Sequence, residues 1–184
     1  LGSAEGRYDK HHLVPYGEYL PMDALLRPLL NFLSIPMSSF TAGGERQAPL
    51  TAGRLKFGAS ICYEDAYGTE VRKPLPDANV LVNVSDDAWF GDSLAPHQHL
   101  EIAQVRALEA GRPMLRATNT GISAIIDHRG QVLARSPQFE TFVLSGEADA
   151  RVGATPFARY GDWPALALCG LLLVAAVRRR GTGD

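Results

Sequence analysis

The chain has 184 residues, of which 46 % are hydrophobic and 21 % charged, and a formal net charge of −2. That balance is ordinary for a folded domain and excludes global disorder, while the near-neutral charge gives no electrostatic case for a nucleic-acid partner. Its 18 Gly and 12 Pro follow no fixed period and it has only two Cys, which excludes collagen-like and disulfide-scaffold classes.

In chain order, residues 1–6 lack apolar periodicity and read as irregular. The first residue is Leu rather than Met, which points to a piece of a longer chain, and residues 1–20 hold no signal-peptide apolar core. Leu25, Leu26, Leu29, Leu30 and Leu33 are spaced for one helical face, which predicts a helix over 21–33, kinked or delayed at Pro28. Residues 55–62 are a β-type run that becomes continuously apolar or small at its end, and 80–84 are a second short strand; such runs suit a sheet covered on both faces. Leu100, Ala103, Ala107 and Ala110 form one stripe of a helix over 96–110, stopped by Gly111 and Pro113. Residues 114–118, 122–127 and 131–134 read as strands, the last two joined by a turn at His128-Arg129-Gly130, and 142–148 as one more.

The tail is different. Residues 163–177 carry no charge, have Tyr160 and Trp163 at one end, and are followed by Arg178, Arg179 and Arg180. A helix of about 15 residues spans roughly 22 Å, short of the ~20 residues a spanning helix prefers. Interfacial aromatics and snorkelling arginines extend that reach. The alternative is a buried core helix, but one this apolar needs cover on every side. The expected organisation is therefore an α/β unit over 1–150, a connector over 151–162 and a transmembrane helix over 163–180. The arginines place the α/β unit on the face opposite the cytoplasm.

Two segments carry candidate chemistry. Cys62 ends an apolar strand where the chain turns, a position that presents sulfur at a sheet rim beside backbone N–H groups able to hold an oxyanion. The plain alternative is a buried, inert Cys. Glu64 and Asp65 by themselves raise a thiol's pKa, so a reactive thiolate there needs a cation or a base nearby. Lys10 is the candidate cation: it precedes Glu18 by eight residues, with Pro15 and Gly17 between, a loop that can return both ends to one site. Taken alone, Lys10 is an ordinary surface residue.

Together these segments resemble the nitrilase (carbon–nitrogen hydrolase) superfamily. Lys10-x-His12-Leu13-x-Pro15-x-Gly17-Glu18 is similar to its lysine motif, and Ile61-Cys62-Tyr63-Glu64 to its nucleophile motif. Pro36-Met37-Ser38-Ser39-Phe40, Asp87-Ala88-Trp89-Phe90-Gly91, Arg106-Ala107-Leu108-Glu109, Arg116 to Ile122 and Thr155 to Arg159 extend the likeness, and with the apolar tail they look most like the membrane-bound N-acyltransferase branch that finishes bacterial lipoproteins.

The resemblance implies an α/β fold, part of a nitrilase-like α-β-β-α sandwich, followed by the membrane helix. It implies catalytic roles for Cys62 as the acyl-accepting nucleophile, Lys10 as oxyanion stabiliser and Glu18 as its orienting partner. Tyr63 and Glu64 fall at positions needed for activity, and Trp89 on a loop near the acyl entrance; these three are the substrate-binding candidates. The implied partners are a phospholipid acyl donor, a diacylglyceryl apolipoprotein acceptor and the membrane, with no nucleic acid and no cofactor. The implied location is the bacterial inner membrane, with the domain on the periplasmic side. Alternatives are an amidase of the same fold and a non-catalytic membrane-anchored module.

Two positions depart from the family pattern. Its general-base Glu lies well upstream of the lysine motif, whereas Glu5 is too close and in no matching motif, so the 184 residues alone are expected to be inactive. Asp86 stands where the family often has Asn. Other constellations are weak: His11-His12 and His97-x-His99 lack a metal spacing and read as loop and helix-start histidines, no metal site is expected, and no Gly-x-Ser-x-Gly elbow occurs. Cys169 reads as a packing residue of the tail.

Overall fold

A computed structural model of the chain describes residues 5–22 and 40–181. The helix expected over 21–33, and residues 36–39 of the family-like segments, lie outside the described residues apart from a turn at Pro21 and Met22.

The described chain builds a mixed sheet of six strands in sequence order: β1 Leu50–Ala52, β2 Leu55–Ile61, β3 Val80–Ser85, β4 Met114–Thr118, β5 Ala124–Ile126 and β6 Val132–Arg135. β2, β3 and β4 are parallel, and the other pairings are antiparallel. β1 was not legible in the sequence because it is three residues long. It forms by folding back on β2 at Gly53, whose φ of +62° suits a tight turn.

Parallel strands need crossovers. After β2 the chain makes a 3-10 turn, Cys62–Ala66, and helix α1, Gly68–Val71; after β3 it makes a 3-10 turn, Ala88–Phe90, and helix α2, Ala95–Ala110. α2 starts with Pro96 in its first turn and stops at Gly111, which takes the left-handed conformation (φ 61°) that ends a helix cheaply. Its small stripe of Ala103, Ala107 and Ala110 lets the helix backbone approach Leu81, Met114, Ala124 and Ile126, and this forms the core. Truncating Met114 there costs about 2–5 kcal/mol.

The other face of the sheet is less covered. Val84 on β3 is 45 % exposed, so the expectation of a sheet buried on both faces holds only for the α2 side. The two-sheet sandwich expected from the family is represented by one sheet among the described residues.

The strand expected over 142–148 is absent. Gly146 lies so near Ile125 of β5 that a Cβ there would sit 2.7 Å from the Ile125 Cδ1, so the segment runs over the sheet instead of adding to its edge. Helix α3, Pro156–Tyr160, follows, capped by Thr155, whose hydroxyl accepts from the Ala158 N–H at 3.0 Å and donates to the Glu109 carbonyl. Helix α4, Trp163–Gly181, forms where the apolar tail predicts it, and its side chains through Arg178 are exposed. Among the described residues no helix is long and apolar enough to cross a membrane, so the structure does not confirm the expected transmembrane helix.

Candidate active site

The carboxyl ends of parallel strands are where open α/β sheets gather ligands. Here the ends of β2, β3 and β4 deliver Cys62, the Asp87–Trp89 segment and Asn119. Cys62 is the first residue of its turn and has a φ of +56°. A non-glycine residue in that region carries strain that the surroundings must offset. Part of that support comes from β3, since the buried Asn83 side chain donates to the Cys62 carbonyl at 2.9 Å and to Ser60 Oγ at 3.0 Å. A sharp strand-to-turn junction of this kind holds a nucleophile out from the sheet. Cys62 is partly buried and Cys169 exposed, and both are free thiols.

Lys10 and Glu18 meet as their spacing predicts. Lys10 Nζ donates to Glu18 Oε1 at 2.7 Å, and the other Glu18 oxygen accepts from the Val14 N–H at 2.8 Å. Val14 also closes the loop, its carbonyl accepting from the N–H groups of Gly17, Glu18 and Tyr19. The Lys10 ammonium sits 5.6 Å from the centre of the Tyr63 ring, which places it beside the residue that follows Cys62. Tyr63 is held by its hydroxyl, which donates to the Leu13 carbonyl at 3.0 Å, and by edge contacts with His12 and Tyr67. Burial and the neighbouring Tyr67 push the Tyr63 phenol above its ordinary pKa, so it stays a donor.

Glu64 joins the lysine loop to the cysteine turn. It is fully buried and accepts from the N–H groups of His11 (2.7 Å), His12 (2.9 Å) and Ile61 (2.6 Å) and from the Tyr8 hydroxyl (3.0 Å). Burial and the Glu64 charge push the Tyr8 phenol upward, which keeps its proton on oxygen and the bond to Glu64 intact. The family resemblance implies a substrate-binding role for Glu64; in this structure its carboxylate is engaged by these four donors. Trp89 is separate from this cluster, 90 % exposed in the turn after β3.

The residues that sequence reasoning missed lie beneath this rim. His99, read as a helix-start histidine, is buried on α2 between two aspartates: Nε2 is 2.9 Å from Asp65 Oδ1 and Nδ1 is 3.1 Å from Asp87 Oδ1. Arg116 on β4 donates to Asp65 (3.3 Å), Asn83 (2.7 Å) and Asp87 (2.9 Å). Burial lowers the His99 pKa, but its bonds to Asp65 and Asp87 outweigh that and raise it to about 9. Burial raises Asp87, but His99, Ser85 and Arg116 outweigh it and bring it to about 2. The sequence signal for His99 is the apolar spacing of α2, which turns it toward the core with Leu100 and Ala103, while Asp87 and Arg116 each open one of the family-like segments.

The carbon-nitrogen hydrolase family pattern matches residues 2–157. Curated relatives named apolipoprotein N-acyltransferase include those of Methylococcus capsulatus, 52 % identical over 181 residues, Nitrosomonas europaea, 51 % identical over 173, and Haemophilus influenzae, 46 % identical over 184. These alignments cover 98 %, 94 % and 97 % of this chain, and 36 %, 35 % and 35 % of the relatives. The chain thus spans about a third of the length of these relatives. Among solved structures, the chain is similar to a carbon-nitrogen hydrolase from Helicobacter pylori (TM-score 0.45, 18 % identity, 53 % of this chain and 41 % of that one). It is also similar to the NitN amidase from Nesterenkonia sp. AN1 (TM-score 0.48, 18 % identity, 70 % and 46 %). The match of the family pattern over most of the chain, with Lys10 and Glu18 paired beside the turn that carries Cys62, shows that the chain belongs to the carbon-nitrogen hydrolase family.

Proposed function

We propose that the chain is the acyl-transfer portion of a phospholipid-dependent apolipoprotein N-acyltransferase. The observation that carries this reading is the Lys10–Glu18 pair packed on Tyr63, next to a cysteine held in a strained turn, in a chain about half identical to relatives bearing that name.

In this reading the Cys62 thiol gives its proton to a general base, and the sulfur attacks the ester carbonyl of a phospholipid acyl chain. The carbon–sulfur bond forms, the carbon–oxygen bond breaks, and lysophospholipid leaves with a proton from the base. The Lys10 ammonium stabilises the oxyanion of the tetrahedral intermediate, and Glu18 aims it. The α-amine of a diacylglyceryl-cysteine then attacks the thioester. An amide forms, the carbon–sulfur bond breaks, and the Cys62 thiol is restored. A thioester suits both halves, because a thiolate attacks well and leaves well.

Tyr63 and Trp89 supply aromatic surface at the rim for lipid chains, while Glu64 holds the frame. The exposed apolar helix α4, with arginines at its end, rests in the inner membrane and keeps the domain on the periplasmic side. Both substrates are lipids, so that attachment supplies proximity.

The test is trapping. The protein as its gene encodes it, purified in detergent and given phospholipid, should form a hydroxylamine-sensitive acyl adduct at Cys62, absent from Cys62→Ala. Identical behaviour of the two proteins refutes the reading. Release of ammonia from amides, without acyl transfer, would assign the chain to the amidases instead.

A further inference from the structure

We infer that His99 is a positioning residue whose imidazolium, bridging Asp65 and Asp87, locks the Cys62 turn and the Trp89 segment into one fixed arrangement.

Each ring nitrogen of His99 faces a carboxylate oxygen, at 2.9 and 3.1 Å. A neutral imidazole has one N–H and one lone pair, so it satisfies only one of these contacts and sets the lone pair against the other oxygen. The doubly protonated ring satisfies both. A protonated carboxyl on either side would relieve the conflict, but both face the Arg116 guanidinium, Asp87 at 2.9 Å and Asp65 at 3.3 Å, and Asp87 also accepts from Ser85 Oγ at 2.7 Å.

The charged groups facing the ring are Asp65 from the cysteine turn, Asp87 from the end of β3 and Arg116 from β4. With His99 charged, two cations balance two anions in a space where all four side chains are at most 8 % exposed. Removing the His99 proton leaves a net negative charge buried, which is costly.

The bridge joins two segments that carry candidate chemistry. Asp65 lies three residues after Cys62 in the same 3-10 turn, and Asp87 is the residue that leads into the turn carrying Trp89. A second link runs parallel to the first: Arg116 binds Asp87 and also Asn83, which donates to the Cys62 carbonyl. The cysteine turn follows β2 and the Trp89 segment follows β3, strands that stay paired up to Ile61 and Val84; beyond that last pair, these buried side chains tie one segment to the other.

The inference rests on the acyl-transfer reading only for its activity arm. The experiment uses the detergent-purified gene product and its His99→Gln variant, which keeps a polar side chain without the positive charge. Site-resolved hydrogen exchange should quicken by about tenfold or more at both 62–66 and 87–90, with the amides of β4 unchanged. Acyl loading of Cys62 should fall roughly 10- to 100-fold in kcat with little change in KM for phospholipid. Unchanged exchange at either segment, or equal quickening across the whole sheet, overturns the inference. So does an unchanged kcat in a protein that loads acyl groups. Absence of acyl loading in the unmodified protein refutes the functional reading alone, and the exchange arm still decides this one. If His99→Gln does not fold, the unmodified protein serves: exchange at the two segments, corrected for the intrinsic effect of pH, must rise together as pH passes about 9, and a flat profile overturns the inference.

Discussion

Lys10 and Glu18 form a 2.7 Å ion pair across a loop closed on Val14, and the same Glu18 carboxylate takes the Val14 N–H. The carboxylate therefore serves the loop and the ammonium together. Glu18→Gln retains an acceptor for one of the two but loses the charge. It should reduce acyl loading of Cys62 about tenfold, whereas Lys10→Ala should reduce it at least about 100-fold, the scale of losing an oxyanion donor. Single-turnover loading with a phospholipid donor measures both.

Glu64 gives a different expectation. Its carboxylate accepts from three backbone N–H groups and the Tyr8 hydroxyl in a fully buried place. Glu64→Gln turns an NH2 group toward donors and leaves at least one of them unpaired. The cost should be about 3 kcal/mol of stability, read by chemical denaturation, together with loss of acyl loading as the two loops separate.

Gly121 is fixed by contact. A Cβ at this position would overlap the Asp87 carboxylate that holds His99 and Arg116. Gly121→Ala should destabilise the fold by about 1–3 kcal/mol, seen as a lower Tm, because backbone and a buried ion pair must shift to admit one methyl group.

Trp89 should show the reverse pattern. It is 90 % exposed, so Trp89→Ala should leave stability within about 0.5 kcal/mol. Acyl loading or transfer should nevertheless slow, with the change mainly in KM for the lipid. An unchanged KM would remove Trp89 from the lipid entrance.

Stability should depend on pH through His99 and Asp87. The folded-state pKa of His99 is raised from 6.5 to about 9, so its contribution is complete below 6.5 and is lost as pH rises through 9. That of Asp87 is lowered from 3.8 to about 2, so its contribution is present above 3.8 and is lost as pH falls through 2. Denaturation midpoints should form a plateau between about pH 4 and 6.5 and decline toward pH 9. His99→Gln should flatten the alkaline decline.

The sequence by itself determined the local pieces. The apolar runs of β2 and β3, the alanine stripe of α2 with its stop at Gly111, and the return of Lys10 to Glu18 across eight residues all follow from short-range periodicity and turn chemistry. The family-like motifs around Cys62 are equally local. The same reasoning overreached at 142–148, where the chain runs over the sheet against Ile125 instead of along an edge, and it passed over β1, which exists only because β2 is there to pair with it. The tertiary structure alone decided that Glu64 would clamp the lysine loop and that His99, Asp65, Asp87 and Arg116 would meet. Those four come from α2, the cysteine turn, the end of β3 and β4, and hydropathy spacing tells only which way a residue faces. Which buried charges find one another depends on how the strands are ordered and how closely α2 approaches them.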